Sequence, residues 1–169
     1  TILGAYNIFL DFQVHSIIGN IIPFSLGVNA ANKNNVVIKN CEIVNFSVGI
    51  SLSSSNNSLI SNNILFANTQ GLGMVSSKNN IIENNNLTKN LNTGISLYQS
   101  KNNSILSNFF DFTSITFGAD GIQMSASNDT LILNNTFINI DNVAIHLLGS
   151  NNNTVTKNNL ESNFRGIQI

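Results

Sequence analysis

A four-residue phrase of small residue, apolar residue, any residue and apolar residue returns seven times along the chain. The copies are Gly27-Val28-Asn29-Ala30, Gly49-Ile50-Ser51-Leu52, Gly71-Leu72-Gly73-Met74, Gly94-Ile95-Ser96-Leu97, Gly121-Ile122-Gln123-Met124, Ala144-Ile145-His146-Leu147 and Gly166-Ile167-Gln168-Ile169. Their first residues are spaced 22, 22, 23, 27, 23 and 22 apart. Alternation such as Ile-Ser-Leu sends successive side chains to opposite faces, which is the period of a strand, and the segments are too short for helices. A fixed period of this length is the mark of a solenoid.

Two further phrases recur within each period. An Asn-rich turn leads into an apolar pair, as in Asn34-Asn35-Val36-Val37, Asn56-Asn57-Ser58-Leu59-Ile60, Asn79-Asn80-Ile81-Ile82, Asn102-Asn103-Ser104-Ile105 and Asn152-Asn153-Thr154-Val155. An apolar residue followed by Asn three on marks the third, in Leu65 and Asn68, Leu87 and Asn90, and Leu160 and Asn163. Three phrases per period predict three short strands per coil. The expected fold is therefore all-β: a parallel β-helix of about seven coils of 22–23 residues, stacked so that equivalent residues form continuous columns. Parallel crossovers make it right-handed.

Residues 27–169 carry the regular repeats, and residues 1–26, with Ile2, Leu3, Ile8, Phe9, Leu10, Phe12, Ile17 and Ile18, read as an irregular first coil of the same single domain. The sequence stops at Gly166-Ile167-Gln168-Ile169, in the middle of a repeat, so the expectation is a segment of a longer solenoid or a unit that stacks end to end.

Asparagine makes up about a fifth of the chain. It tolerates positive φ at corners, and stacked amides can bond from coil to coil. The glycine heading each phrase fits a position needing positive φ or close backbone approach. Cys41 aligns with Asn63 of the next coil.

On these phrases the chain resembles the right-handed parallel β-helix repeat family, and more narrowly the Asn-rich NosD-like and pectin-lyase-like surface proteins. The same solenoid carries lyases, polygalacturonases, adhesins and tailspikes, so the resemblance implies fold more than function.

Charge narrows the partners. Only 9% of residues are charged and the net charge is −1, leaving no basic stripe for nucleic acid and no polybasic patch for anionic lipid. Apolar runs fall short of the ~20 residues that span a bilayer, so no membrane insertion is expected. No catalytic residues are assigned: hydrolysis needs converging carboxylates, and Asp120 and Asp141 fall in different coils. NosD-like resemblance would imply copper, yet His15 and His146 are far apart and Met74 and Met124 fall in an inward column, so no metal or other cofactor is expected.

The candidate binding face is the outward column beside the core phrase, which changes from small residues to Gln123, His146 and Gln168, with Tyr98 in the next column and Asp120 and Arg165 just before their phrases. Amides, an imidazole and an aromatic ring suit hydrogen bonding to and stacking on sugars. The long coil adds an insertion within residues 109–119, read either as a lip of exposed Phe or as rings turned inward. Sequons at Asn45, Asn56, Asn86, Asn102, Asn128, Asn134 and Asn152 are accounted for by composition. The function read from the sequence is a non-catalytic extracellular, cell-surface or periplasmic module with polysaccharide or another partner on its late coils. The competing readings are part of a polysaccharide lyase or glycoside hydrolase, and a self-stacking fibre or coat subunit.

Overall fold

The computed structural model describes residues 7–112 and 118–169. Ile2 and Leu3 of the irregular opening coil, and residues 113–117 of the long-coil insertion, lie outside that range. The described chain is all-β, with three parallel sheets of seven strands wound into a solenoid. Sheet I holds Phe9–Asp11, Val37–Lys39, Leu59–Ser61, Ile81–Glu83, Ser104–Leu106, Leu131–Leu133 and Thr154–Thr156. Sheet II holds Ser16–Ile18, Glu42–Val44, Ile64–Phe66, Asn86–Thr88, Phe109–Asp111, Thr136–Ile138 and Asn159–Glu161. Sheet III, the longest, holds Leu26–Asn29, Val48–Ser53, Gln70–Val75, Thr93–Tyr98, Asp120–Ser125, Val143–Leu148 and Arg165–Gln168. Each strand pairs in register with its equivalent one coil away, so Ile50 meets Leu72, Ile95 meets Ile122, and Ile122 meets Ile145.

Strand alternation builds the core. Ile38, Ile60, Ile82, Ile105 and Ile132 point inward from sheet I, Ile43, Leu65, Leu87, Phe110 and Phe137 from sheet II, and Ile50, Leu72, Ile95, Ile122 and Ile145 from sheet III, all without solvent contact. Phe110 and Phe137 stack with centroids 4.5 Å apart.

The abundant asparagine divides into two roles, often within one Asn-Asn pair. The first residue takes a left-handed backbone, as Asn62 (φ 56°), Asn79 (φ 58°), Asn84 (φ 54°), Asn102 (φ 54°) and Asn134 (φ 58°) do. Its short polar side chain lowers the cost of that conformation. The second residue points inward as part of a ladder. In Asn85, Asn108 and Asn135 each Oδ1 accepts from the backbone N–H and the side-chain amide of the Asn one coil before, at 2.8–3.0 Å. Each Nδ2 also donates to a carbonyl of the coil before: Asn63 to Ile38 at 3.0 Å and Asn85 to Ile60 at 2.9 Å. A second ladder joins Asn68 to Asn90, and a third joins Asn80 to Asn103. Corners of a solenoid leave backbone groups without strand partners, and these amides supply them.

The glycine column serves close approach rather than positive φ. A Cβ on Gly49 would lie 2.6 Å from the carbonyl oxygen of Gly71, and one on Gly71 would lie 2.6 Å from that of Gly94. Positive φ among the described glycines belongs to Gly118 and Gly149, which are outside the column.

Cys41 heads the first ladder, its N–H donating to Asn63 Oδ1 at 3.1 Å. Burial, with a smaller contribution from the charge of Glu42, pushes its thiol pKa up to about 12. The thiolate is the reactive form, so the folded chain should resist a disulfide reagent at mildly alkaline pH and react once denatured. Rapid labelling of the folded chain would contradict this burial. Because the folded pKa is raised, the stabilisation it reflects is fully present below the unfolded thiol value and fades as pH climbs towards 12.

Candidate functional site

After the irregular first coil, the described coils are uniform except at one corner, between sheets II and III. From the ladder residue to the first residue of the next core phrase the chain advances three positions from Asn68 to Gly71 and from Asn163 to Gly166, but four from Asn90 to Gly94 and from Ile140 to Ala144. Ile140 holds the ladder position without an amide of its own, its N–H donating to Asn163 Oδ1 at 2.9 Å. The coil between these two carries the long insertion. Three consecutive coils are therefore enlarged at the same corner, and in solenoids such enlargements gather on a binding face.

Asp120 sits at the start of its sheet III strand and is only 3% exposed. Its Oδ1 accepts from Asn142 Nδ2 at 2.8 Å and from the backbone N–H of Val143 at 3.1 Å. In coils without the added residue, the N–H at this position donates to a backbone carbonyl, as Gln70 does to Ser47 at 3.0 Å and Arg165 to Asn142 at 2.9 Å. Thr93 and Asp120, in the other enlarged coils, still donate to the carbonyls of Thr69 and Asn92, at 3.4 and 3.0 Å, whereas for Val143 the Asp120 carboxylate takes the carbonyl's place. Its Oδ2 lies 3.1 Å from Nδ1 of His146. A carboxylate can only accept, so Nδ1 carries the proton. That leaves His146 Nε2 pointing away from Asp120, screened from solvent and without a hydrogen-bond partner. The His146 side chain is 13% exposed.

Arg165, from the next coil, donates from Nη1 to Asn142 Oδ1 at 2.8 Å and lies over the Phe164 ring at 4.7 Å. Asn142 thus links Arg165 to Asp120 and, through it, to His146. Beside this network runs a cleft of about 720 Å³ lined by Gly118, residues 139–142 and residues 162–165. That volume is within the range of ~300–1,000 Å³ typical of ligand sites. Asp141 lines the cleft, and its Oδ2 also has no hydrogen-bond partner.

Of the six residues singled out from the sequence, the structure gathers Asp120, His146 and Arg165 into one network. Gln123, His146 and Gln168 occupy successive rungs of sheet III, as Cα partners. Tyr98 is 47% exposed but stands apart, in register with Val75 and Ser125 two positions further along the strand. Of the insertion, Phe110 and Phe112 are turned inward and fully buried, whereas Phe109 is partly exposed. The described rings therefore fill the coil more than they line a lip. Nothing in the sequence marks Asn142 among so many asparagines, and Asp141 falls in a different coil from Asp120, although neighbouring coils stack only ~4.8 Å apart. The four-position step at Asn90 and Ile140 was the signal that would have found the corner. Met74 and Met124 are buried core residues. Among the described residues, no group of three or more His, Cys, Asp and Glu is placed to hold a metal ion.

The family described as right handed beta helix region matches residues 6–160. No curated protein matches the chain by sequence. Among solved structures, the Dettilon tailspike protein superposes with a TM-score of 0.78 at 23% identity, over 99% of this chain and 38% of that one. The periplasmic alginate epimerase AlgG superposes at 0.63 and 17% identity, over 91% of this chain and 44% of that one. An alginate lyase from Paenibacillus sp. superposes at 0.56 and 12% identity, over 91% of this chain and 80% of that one. The chain thus spans less than half the length of the tailspike and the epimerase. At these identities the likeness is one of fold.

Proposed function

Since the chain belongs to the right-handed β-helix family, we propose that it is an extracellular or periplasmic module that binds a carbohydrate chain at the enlarged corner of its late coils, without catalysing a reaction there. The observation that carries this reading is the coincidence of three consecutive corner insertions with the cleft and with the Asp120–Asn142–Arg165 network. The similar folds of a tailspike, an alginate epimerase and an alginate lyase support a carbohydrate as the class of ligand. Binding is favoured over catalysis because the Asp120 carboxylate is nearly closed to solvent and already engaged by Asn142, Val143 and His146. A carboxylate so occupied holds the corner in shape and is poorly placed to take or give a proton to a substrate.

Glycan-array binding followed by calorimetry tests the proposal. The wild-type chain is expected to bind a defined set of polysaccharides, and Arg165→Ala, an exposed substitution, is expected to weaken binding about tenfold, which is ~1.4 kcal/mol. Equal binding by Arg165→Ala would move the site away from this corner. Release of reducing ends or of unsaturated products from a bound polymer would overturn the non-catalytic reading.

A further inference from the structure

Resting on that proposed carbohydrate site, we infer that the cleft takes a neutral, hydroxyl-rich glycan in preference to a uronate polymer. The charges around the cleft carry the inference. Arg165 is the only cationic side chain among its lining residues, and it is also the only arginine in the chain. Its Nη1 is committed to Asn142, and its guanidinium lies over Phe164. Against it stands Asp141, whose Oδ2 lacks any donor, with the Asp120 carboxylate close behind Asn142.

A ligand carboxylate entering this space meets one engaged guanidinium and one carboxylate of its own sign, and like charges at short range disfavour it. A sugar hydroxyl has no such conflict. It donates to the carboxylate of Asp141 and accepts from the guanidinium of Arg165, both of which line the cleft. Phe164, 70% exposed on the rim, adds apolar surface for the C–H face of a sugar ring.

Calorimetric titration of the full chain with neutral hexasaccharides of mannose, glucose and galactose, and with hexamers of mannuronate and galacturonate, at low and high salt, tests this. The expected result is a neutral oligosaccharide bound at least about tenfold more tightly than either uronate, with an affinity indifferent to salt. Asp141→Asn, which keeps the side-chain shape and removes the charge, is expected to close that gap by raising uronate affinity. A uronate bound more tightly by the wild type, with affinity falling as salt rises, overturns the inference and leaves carbohydrate binding standing. A neutral preference unchanged by both Asp141→Asn and Arg165→Ala also overturns it, because the preference then arises elsewhere. Failure of every oligosaccharide to bind sinks the carbohydrate site and this preference together.

Discussion

Asn108→Ala is expected to lower folding stability by about 4 kcal/mol, a large share of the ~5–15 kcal/mol that holds a typical domain together. Asn108 is buried at the centre of the first ladder. Its Oδ1 accepts from both the backbone N–H and the amide of Asn85 at 3.0 Å, and its Nδ2 donates to Ile82 O at 2.9 Å and to Asn135 Oδ1 at 3.0 Å. Removing the side chain leaves the Asn85 N–H and the Ile82 carbonyl without these partners and out of reach of water, at roughly 1–3 kcal/mol each. Asn108→Asp should not rescue it, because a carboxylate keeps the acceptors, loses both donors and brings an unpaired charge into the interior. The control is Asn102→Ala, where the residue is exposed, left-handed and bonded to Asn79 Oδ1 at 2.6 Å. There the cost should be about 1 kcal/mol, mainly from losing the short polar side chain that eases a left-handed backbone. Denaturant unfolding of the three variants separates the two roles. Equal losses at Asn102 and Asn108 would contradict the assignment of the ladder as the structural one.

Gly94→Ala should cost about 3 kcal/mol, although it adds a single methyl group. Its Cβ would fall 2.7 Å from the Gly121 carbonyl oxygen and 2.7 Å from Cδ1 of Phe110. Neither neighbour can yield cheaply: one is backbone of the next coil, and the other is a ring held by its stack on Phe137. The strain should spread to the coil on that side and show as lost amide protection along Thr93–Tyr98 and Asp120–Ser125. Gly166→Ala, where a Cβ would meet only Leu160 Cδ2 at 3.5 Å, should be tolerated. If Gly94→Ala unfolds at the wild-type midpoint, the close stacking of this column is wrong.

The period of the core phrase was enough to read the solenoid, its three strands per coil and its inward columns, because the same side-chain environment recurs in every coil. Asparagine was harder. Composition announced its importance, yet Asn62 and Asn63, adjacent and identical in type, do opposite jobs, and only the coil geometry separates the left-handed turn from the buried ladder. The corner site was half legible. Asp120, His146 and Arg165 stood out as rare charged or titratable residues among neutral ones. The bridge through Asn142 did not, since nothing distinguishes that asparagine in sequence from its many counterparts. Tyr98 attracted attention as an aromatic on the same sheet, but its place further along the strand keeps it out of the network. The spacing of 27 marked the long coil plainly, whereas the single-residue additions on either side of it register only as 23 against 22.

The claim on which the functional account depends is that the enlarged corner is where a glycan sits. Backbone amide chemical shifts recorded while a bound oligosaccharide is titrated into the isotope-labelled chain test it most directly. The account predicts saturable shifts concentrated at Gly118, Asn139, Asp141, Asn142, Phe164 and Arg165, with the outer faces of sheets I and II unmoved. Shifts centred on either of those faces, or a titration that moves no residue of the corner, would contradict it.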